Sequence, residues 1–345
     1  MMSSLPETYQ AFRRTEGTAP LTIEQVTEKL PPIESHDVLV RIHAVSLNYR
    51  DIAMLDNTYP QPCLPRGIPA SDCAAEVVSV GSAVSGFKPG DRVTAIWDLT
   101  NVTGTEERAP EALGGDVDGV LRQYAVFNEQ VLVHLPEHLS WEEASCITCA
   151  GTTAWNALEF PRNSGTALLQ GTGGVSMFAL LLCIAAGLQS IITSSSDEKL
   201  DQARSLGPNI KTINYKKVDK WEDEVLRLTN GRGADVAIEN VGPATVRQSL
   251  ASLAQRGTLS LVGFLGGLEA KELPDLYLPV MVKRVTMRGI VVGSKLDQQA
   301  LCDFLTEKKV SLKPLVDAVF PFDQSKEAFA RLKSGKHQGK IVITL

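Results

Sequence analysis

The stretch that most limits what this chain can fold into is Gly171-Thr172-Gly173-Gly174-Val175-Ser176. An apolar run, Thr166 to Gln170, leads into it, and another, Phe178 to Ala186, leads away. Strand, glycine turn and helix, in that order, are what a dinucleotide pyrophosphate requires. Glycines let the backbone turn tightly and approach the phosphates, whose charge then lies against free N–H groups at the helix N-terminus. A glycine-rich string alone suits many turns before helices; the two flanking runs carry the reading here. Ser176 stands in place of the third glycine and is small enough for close helix–strand packing. The turn lies in the middle of 345 residues, which leaves room in front of it for a domain of ordinary size.

From Thr166 onward the pattern alternates. Strands are expected at 166–170, 190–194, 212–215, 235–241, 257–263 and 285–293, and helices at 174–186, 197–206, 221–229 and 244–254. Near-continuous apolar strands between helices predict a doubly wound parallel sheet, an α/β Rossmann domain. The first third is β-rich: Val38, Val40, Ile42 and Ala44 alternate with Leu39, Arg41, His43 and Val45, a strand period. Ser140-Trp141-Glu142-Glu143 is a capping box and starts a helix near Trp141. A helix over 324–334 and a strand, Ile341 to Leu345, close the chain. That strand has no place in the parallel sheet, so the C-terminus is expected to return to the first domain. The expected boundaries are 1–130 for the first domain, 131–295 for the dinucleotide domain and 296–345 for the return.

A net charge of −6 supplies no electrostatic footprint for nucleic acid or an anionic membrane. The most apolar stretch, Met177 to Ala186, is too short to span a bilayer. Met1 to Arg14 lacks the apolar core of a secretory signal. Six scattered cysteines make no disulfide framework, so a reducing, cytoplasmic setting is the expectation.

NAD sites place an acidic residue about 20 residues past the glycines, on the adenosine ribose. The second strand here ends Ile191-Ile192-Thr193-Ser194-Ser195-Ser196, with no acid before Asp197. A carboxylate there would repel a 2′-phosphate; hydroxyls and Lys199 would welcome one. NADPH is therefore expected over NADH, on Ser194, Ser195 and Lys199, while Ser196 caps the following helix.

Ser46-Leu47-Asn48-Tyr49-Arg50-Asp51, Ala70 to Val78, Phe87 to Val93, Ala150-Gly151-Thr152-Thr153-Ala154-Trp155, the Gly171 turn, Ile213-Asn214-Tyr215 and Gly339-Lys340-Ile341-Val342 follow one another in an order and spacing that resembles the medium-chain dehydrogenase/reductase superfamily, in its zinc-independent, quinone-oxidoreductase-like branch. The resemblance covers essentially the whole chain. It implies a GroES-like catalytic domain made from both chain ends around the Rossmann domain, with substrate reduced in the cleft between. It also implies a contact of Thr153 with the nicotinamide amide and of Lys340 with the cofactor, and leaves a homodimer open.

The zinc enzymes carry Cys where this chain has Asn48, and His-Glu where it has Ser71-Asp72. Amide and serine hydroxyl are poor zinc ligands. Residues 95–120, where four cysteines would hold a structural zinc, contain none. No metal is therefore expected. Cys146-Ile147-Thr148-Cys149 falls inside or at the end of the helix begun by Ser140 and is expected to be buried packing rather than a redox pair.

Without a Lewis acid, a saturated ketone is hard to reduce. A conjugated acceptor needs less help, because hydride addition spreads charge over an enolate. The expected reaction is NADPH-dependent reduction of an activated C=C (enone, enal or enoyl thioester) or a quinone, on a small apolar conjugated substrate. A metal-free carbonyl or alcohol oxidoreductase and a non-catalytic NADPH-binding sensor or scaffold are the alternatives. Tyr49 is the expected donor near the substrate, to hydrogen-bond the carbonyl or protonate the enolate, and Asn48 is expected to hold the same oxygen through its amide N–H. Besides Gly171, Thr172, Gly173, Gly174 and Val175, the expected cofactor contacts are Gly263, Phe264 and Leu265, Val292 and Gly293 at strand ends, and Tyr215 beside the adenosine phosphate. Trp97, Tyr59 and Phe264 are candidates for an apolar pocket.

Overall fold

The computed structural model describes residues 5–269 and 275–345. It divides into two compact units, Met1–Thr152 with Gly293–Leu345, and Thr153–Val292. In chain order the first unit begins with β1 (Thr8–Arg14), β2 (Ile23–Lys29), β3 (Asp37–Ser46), α1 (Tyr49–Leu55), β4 (Asp72–Val80), β5 (Arg92–Ala95), β6 (Tyr124–Asn128), β7 (Leu132–His134) and α2 (Trp141–Ser145). A π-helical turn, Ile147–Gly151, leads to α3 (Thr152–Ala157), and the second unit follows. It holds β8 (Thr166–Gln170), α4 (Gly174–Ala186), β9 (Gln189–Ser194), α5 (Asp197–Ser205), β10 (Ile210–Asn214), α6 (Trp221–Leu228), β11 (Ala234–Glu239), α7 (Val246–Ser252), β12 (Leu253–Leu261), α8 (Tyr277–Lys283) and β13 (Thr286–Gly289). The chain then re-enters the first unit with α9 (Lys295–Lys308), β14 (Val316–Pro321), α10 (Ser325–Lys333) and β15 (Lys340–Thr344).

Unit boundaries thus fall at 152/153 and 292/293 rather than 130/131 and 295/296. The reason is visible in α2 and the π turn, which are tied into the first unit's sheet. Ser46 Oγ donates to Ser145 O (3.0 Å), the Thr94 and Thr148 hydroxyls pair (2.9 Å), and Thr148 Oγ1 donates to Ala95 O (3.2 Å).

In the first unit, β1 and β2 form an antiparallel hairpin, and the main sheet runs β14-β15-β3-β4-β5-β7, with β6 on β3. The chain's last strand, β15, lies between β14 (parallel) and β3 (antiparallel). Ile341, Val342 and Ile343 are fully buried there, as an apolar strand in mid-sheet must be.

The second unit's sheet runs β10-β9-β8-β11-β12-β13, parallel at every pairing described. This is the doubly wound order, with its switch point between β8 and β11. Every residue of β8 is buried, and α4 is buried from Ser176 to Cys183, the mark of a helix apolar all round. Gly187, at φ +74°, ends α4 in the left-handed cap only glycine adopts freely.

Two strands differ most from the pattern-based expectation. β12 starts at Leu253, not 257, and bends at Arg256 (φ +64°). β13 stops at Gly289, not 293; Val292 sits in the left-handed region (φ +54°), so Val292 and Gly293 lie beyond the strand. Among the described residues, no helix is long and apolar enough to cross a membrane.

Candidate active site

The glycine turn leaves β8 at the switch point. Gly171 takes φ +75°, and a Cβ built at Gly171 or Gly173 would meet nothing within 4 Å. The Gly171 N–H donates to Thr193 Oγ1 (3.3 Å), but no side chain caps α4 at Gly173, so the turn has the open space and the uncapped helix N-terminus that a pyrophosphate fits. Ser176 has its own employment: its hydroxyl donates to Gln170 O (2.6 Å) and accepts from Asn240 Nδ2 (3.0 Å).

That bond opens onto a buried polar network absent from the expectations. Glu239, 1 % exposed at the end of β11, accepts from Gln170 Nε2 (2.9 Å), Val241 N (2.9 Å), Gly242 N (3.0 Å) and Thr245 Oγ1 (2.7 Å), and at short range from Ser249 Oγ. Asn240 N donates to Gln170 Oε1 (2.9 Å), so the network joins the ends of β8 and β11 on both sides of the switch point. Gly263, Phe264 and Leu265 come to the same place. Leu265 N donates to Asn240 O (3.1 Å), and a Cβ on Gly263 would lie 2.7 Å from that oxygen. The sequence signal available for it was Glu239-Asn240-Val241-Gly242, polar residues closing an apolar strand.

At the end of β9, Ser194 is buried and its Oγ accepts from Ser196 N (3.3 Å), Ser195 is exposed, and Ser196 caps α5 by accepting from Lys199 N (3.4 Å). Tyr215 N donates to Ser194 O (3.1 Å), which sets the exposed Tyr215 beside this cluster. Asp197 does not stand alone: Lys217 Nζ (2.5 Å) and Asn214 Nδ2 (2.7 Å) donate to its carboxylate and hold it below the usual range. Thr153 is buried on α3, and Val292 O accepts from Asn156 Nδ2 (3.1 Å).

In the first unit the chemistry gathers at the start of α1. Asp51 begins the helix by accepting from Asn48 N (2.8 Å) and reaches across to Ala70 N (3.2 Å). Burial pushes its carboxyl above the usual range against the pull of Arg50 and the Asn48 N–H. The Asn48 side chain turns away from the helix end: its Oδ1 accepts from Lys340 Nζ at 2.5 Å, and its Nδ2 lies 3.5 Å from Ser71 Oγ. Tyr49 is 47 % exposed.

The resemblance places Lys340 on the cofactor; the structure buries it (3 % exposed). Its ammonium donates to Leu47 O (2.7 Å) and Asn48 Oδ1, and Asp72 Oδ2 lies at 3.4 Å. Three N–H groups have three acceptors. Gly339 makes this inward turn, since its φ is +77° and a Cβ would stand 2.1 Å from Leu315 O. Asp72, itself fully buried, also accepts from Ser71 Oγ (2.7 Å).

Among the described residues, no three His, Cys, Asp or Glu side chains gather as metal ligands. His134 Nε2 faces Gly86 O (3.2 Å), His138 Nε2 faces Val310 O (3.0 Å), and His43 pairs with Glu76 (3.1 Å). Burial pushes the Cys146 thiol up to about 11 and Cys149 to about 12, far from the low-pKa thiolate of a redox pair. Of the aromatic candidates, Trp97 is buried, while Tyr59 and Phe264 are half-buried.

Comparisons with known proteins agree with this architecture. The family described as alcohol dehydrogenase GroES-like domain matches residues 34–137, and the one described as zinc-binding dehydrogenase matches residues 174–307. A zinc-type alcohol dehydrogenase-like protein of Schizosaccharomyces pombe is 40% identical over 329 residues, covering 93% of each chain. A quinone oxidoreductase-like protein 2 homolog of Nematostella vectensis is 29% identical over 352 residues, covering 98% of this chain and 89% of its own. Among solved structures, a putative alcohol dehydrogenase from Sinorhizobium meliloti superposes with a TM-score of 0.90 at 36% identity, covering 99% of this chain and 100% of that one.

Proposed function

The chain belongs to the medium-chain dehydrogenase/reductase superfamily, a family of oxidoreductases that work with nicotinamide cofactors, and from that premise we propose that it is an NADPH-dependent, zinc-independent reductase of an activated C=C bond or a quinone. The orientation of Asn48 carries the reading. With Lys340 donating to its oxygen, the amide presents N–H, and a neutral donor is what a ligand oxygen acquiring charge needs.

The residues at the place of a catalytic zinc do not suit that metal. Asn48 and Ser71 are weak ligands, and the one carboxylate, Asp72, already faces a buried ammonium. No step is therefore routed through a metal. A bound reduced nicotinamide would supply hydride to the β-carbon of a conjugated acceptor, leaving negative charge on the carbonyl oxygen. Asn48 Nδ2 holds that oxygen as it gains charge. A localised alkoxide needs more stabilisation than one amide N–H supplies, whereas an enolate or hydroquinone anion spreads its own charge and needs less, which favours conjugated acceptors. Tyr49, at the first position of α1, is the nearest phenol in sequence to supply the proton to the α-carbon.

Ser194 and Ser195 at the end of β9, with Lys199 in the first turn of α5, support NADPH over NADH. Asp197 does not oppose it, because Lys217 pairs with that carboxylate. The test is an initial-rate screen of an enone, a benzoquinone and a saturated ketone, each with NADPH and with NADH, before and after dialysis against a chelator. Enone or quinone turnover with NADPH, unchanged by the chelator, is the expected result. Equal use of NADH overturns the cofactor assignment; ketone turnover, or activity lost with the metal, overturns the chemistry.

A further inference from the structure

Arg50 follows Tyr49 on α1, is only 8 % exposed, and has no part in the reading above. Its Nη1 donates to Leu113 O (2.7 Å), and its guanidinium lies over the Trp97 ring at 4.6 Å and near the Tyr59 ring at 5.5 Å. Gly115 is packed against it so closely that a Cβ there would stand 2.5 Å from Nη2. Within this pair two donors have no acceptor among the described residues: Arg50 Nε and Trp97 Nε1, both buried, with Trp97 7 % exposed. A buried donor left unmatched is destabilising, more so when it is charged, and two in one stacked pair form an arrangement that lacks its acceptor.

The charge balance has the same sense. Arg14, 3 % exposed, lies on β1 and donates to Gly114 O (2.7 Å) and Leu64 O (3.0 Å), both backbone carbonyls. Among the described residues, neither Arg14 nor Arg50 makes an ion pair with a carboxylate. Asp51, the buried acid beside them, has its oxygens on the N–H groups of Asn48 and Ala70. Arg14, Met54, Tyr59, Cys63, Leu64 and Arg66 line a cavity of about 290 Å³, and Tyr59 is the ring it shares with the Arg50 stack. Guanidinium and indole N–H groups over an aromatic floor recognise a planar oxyanion, for which arginine's fixed fork is suited.

We propose that Arg50 and Trp97 form a carboxylate-binding subsite, with Arg14 reinforcing its positive charge, and that the acceptor this protein reduces is a conjugated carbonyl compound bearing a carboxylate. The inference rests on the reading of Asn48 as the donor to the acceptor, because α1 carries both residues.

Calorimetric titration with 4-oxopent-2-enoate and with its methyl ester, in the absence of cofactor, tests the subsite without requiring turnover. The acid is expected to bind at least tenfold more tightly than the ester. Arg50→Met should remove that preference, and Trp97→Phe, which keeps the ring and deletes only the N–H, should weaken acid binding severalfold while leaving the ester unchanged. Should Arg50→Met not fold, Trp97→Phe decides alone. Equal binding of acid and ester, or an acid preference that survives these substitutions, overturns the subsite. An acid preference without any NADPH oxidation leaves the subsite standing and removes the reductase reading; enone reduction with no acid preference does the reverse.

Discussion

Each unit buries one charged cluster at the end of a sheet, and the two clusters are built on opposite terms. In the second unit, the Glu239 carboxylate receives five donors, and nothing in it points outward. In the first, Lys340 is matched to Leu47, Asn48 and Asp72, but the neighbouring Arg50 and Trp97 keep donors without acceptors. A closed network specifies structure; an open one leaves a place for a ligand. The glycine turn is accordingly held by groups that have finished their bonding, and the proposed acceptor side by groups that have not.

The largest effect is expected where the network is closed. Glu239→Ala strands the Gln170, Thr245 and Ser249 donors and two backbone N–H groups in a dry interior, and should lower the unfolding free energy by about 4–5 kcal/mol. Urea unfolding of the isolated protein measures it. A loss under about 1 kcal/mol would mean that water replaces the carboxylate, and the contrast between the two clusters would collapse.

Next comes the buried ion pair of the first unit. Lys340→Met removes the counter-charge of Asp72 and leaves it only hydroxyl donors, Ser71 and Ser46, with a cost of about 3 kcal/mol. Adding Asp72→Asn should return most of that stability, because the uncompensated charge is gone. Activity separates structure from positioning: the double variant has nothing to hold the Asn48 oxygen, so kcat should stay about tenfold down with KM for NADPH unchanged. If kcat recovers together with stability, Lys340 merely neutralises Asp72.

Much of the second unit is legible in the residues because its signals are local. The apolar run after Gly173 and the glycine at 187 define α4 at both ends, Ser196 marks the start of α5, and alternating apolar runs give the parallel sheet. Glu239 is illegible for the opposite reason: its partners Gln170 and Ser249 come from other elements, and a lone acid after an apolar strand looks like a strand end. Lys340 misleads further. Seen beside Gly339 it suggests a surface or cofactor lysine, while what buries it, Asn48 and Asp72, lies 292 and 268 residues away. The unmatched donors of Arg50 and Trp97 leave no local trace, since they exist only once the fold has removed their water. The capping box of Ser294 and Asp297 that starts α9 is, by contrast, a local signal the alternation pattern passes over.

Asn48→Ala measures the open cluster directly. It removes the oriented N–H and leaves the Lys340 ammonium without one acceptor, so kcat for an enone should fall about a hundredfold, in keeping with the loss of one oxyanion donor. Asn48→Asp is the sharper companion, since it keeps the acceptor for Lys340 and deletes the donor; it should be at least as slow while losing less stability. A fast Asn48→Asp variant would move the donor's role elsewhere.

The smallest effect belongs to the end of β9. Lys199→Ala removes one positive charge from a partly solvated cluster in which Ser194 and Ser195 still offer hydroxyls, so the loss is bounded by what one screened charge contributes to phosphate binding. KM for NADPH should rise about tenfold, equivalent to about 1.4 kcal/mol, with KM for NADH and kcat unaltered, and the difference should shrink as salt is raised. A parallel rise in both KM values would show Lys199 supporting the fold of α5 instead of a 2′-phosphate. Lys217→Ala then distinguishes direct from indirect charge: freeing the Asp197 carboxylate beside the same serines should penalise NADPH and leave NADH alone, and no change there would mean that Asp197 lies outside the phosphate's field.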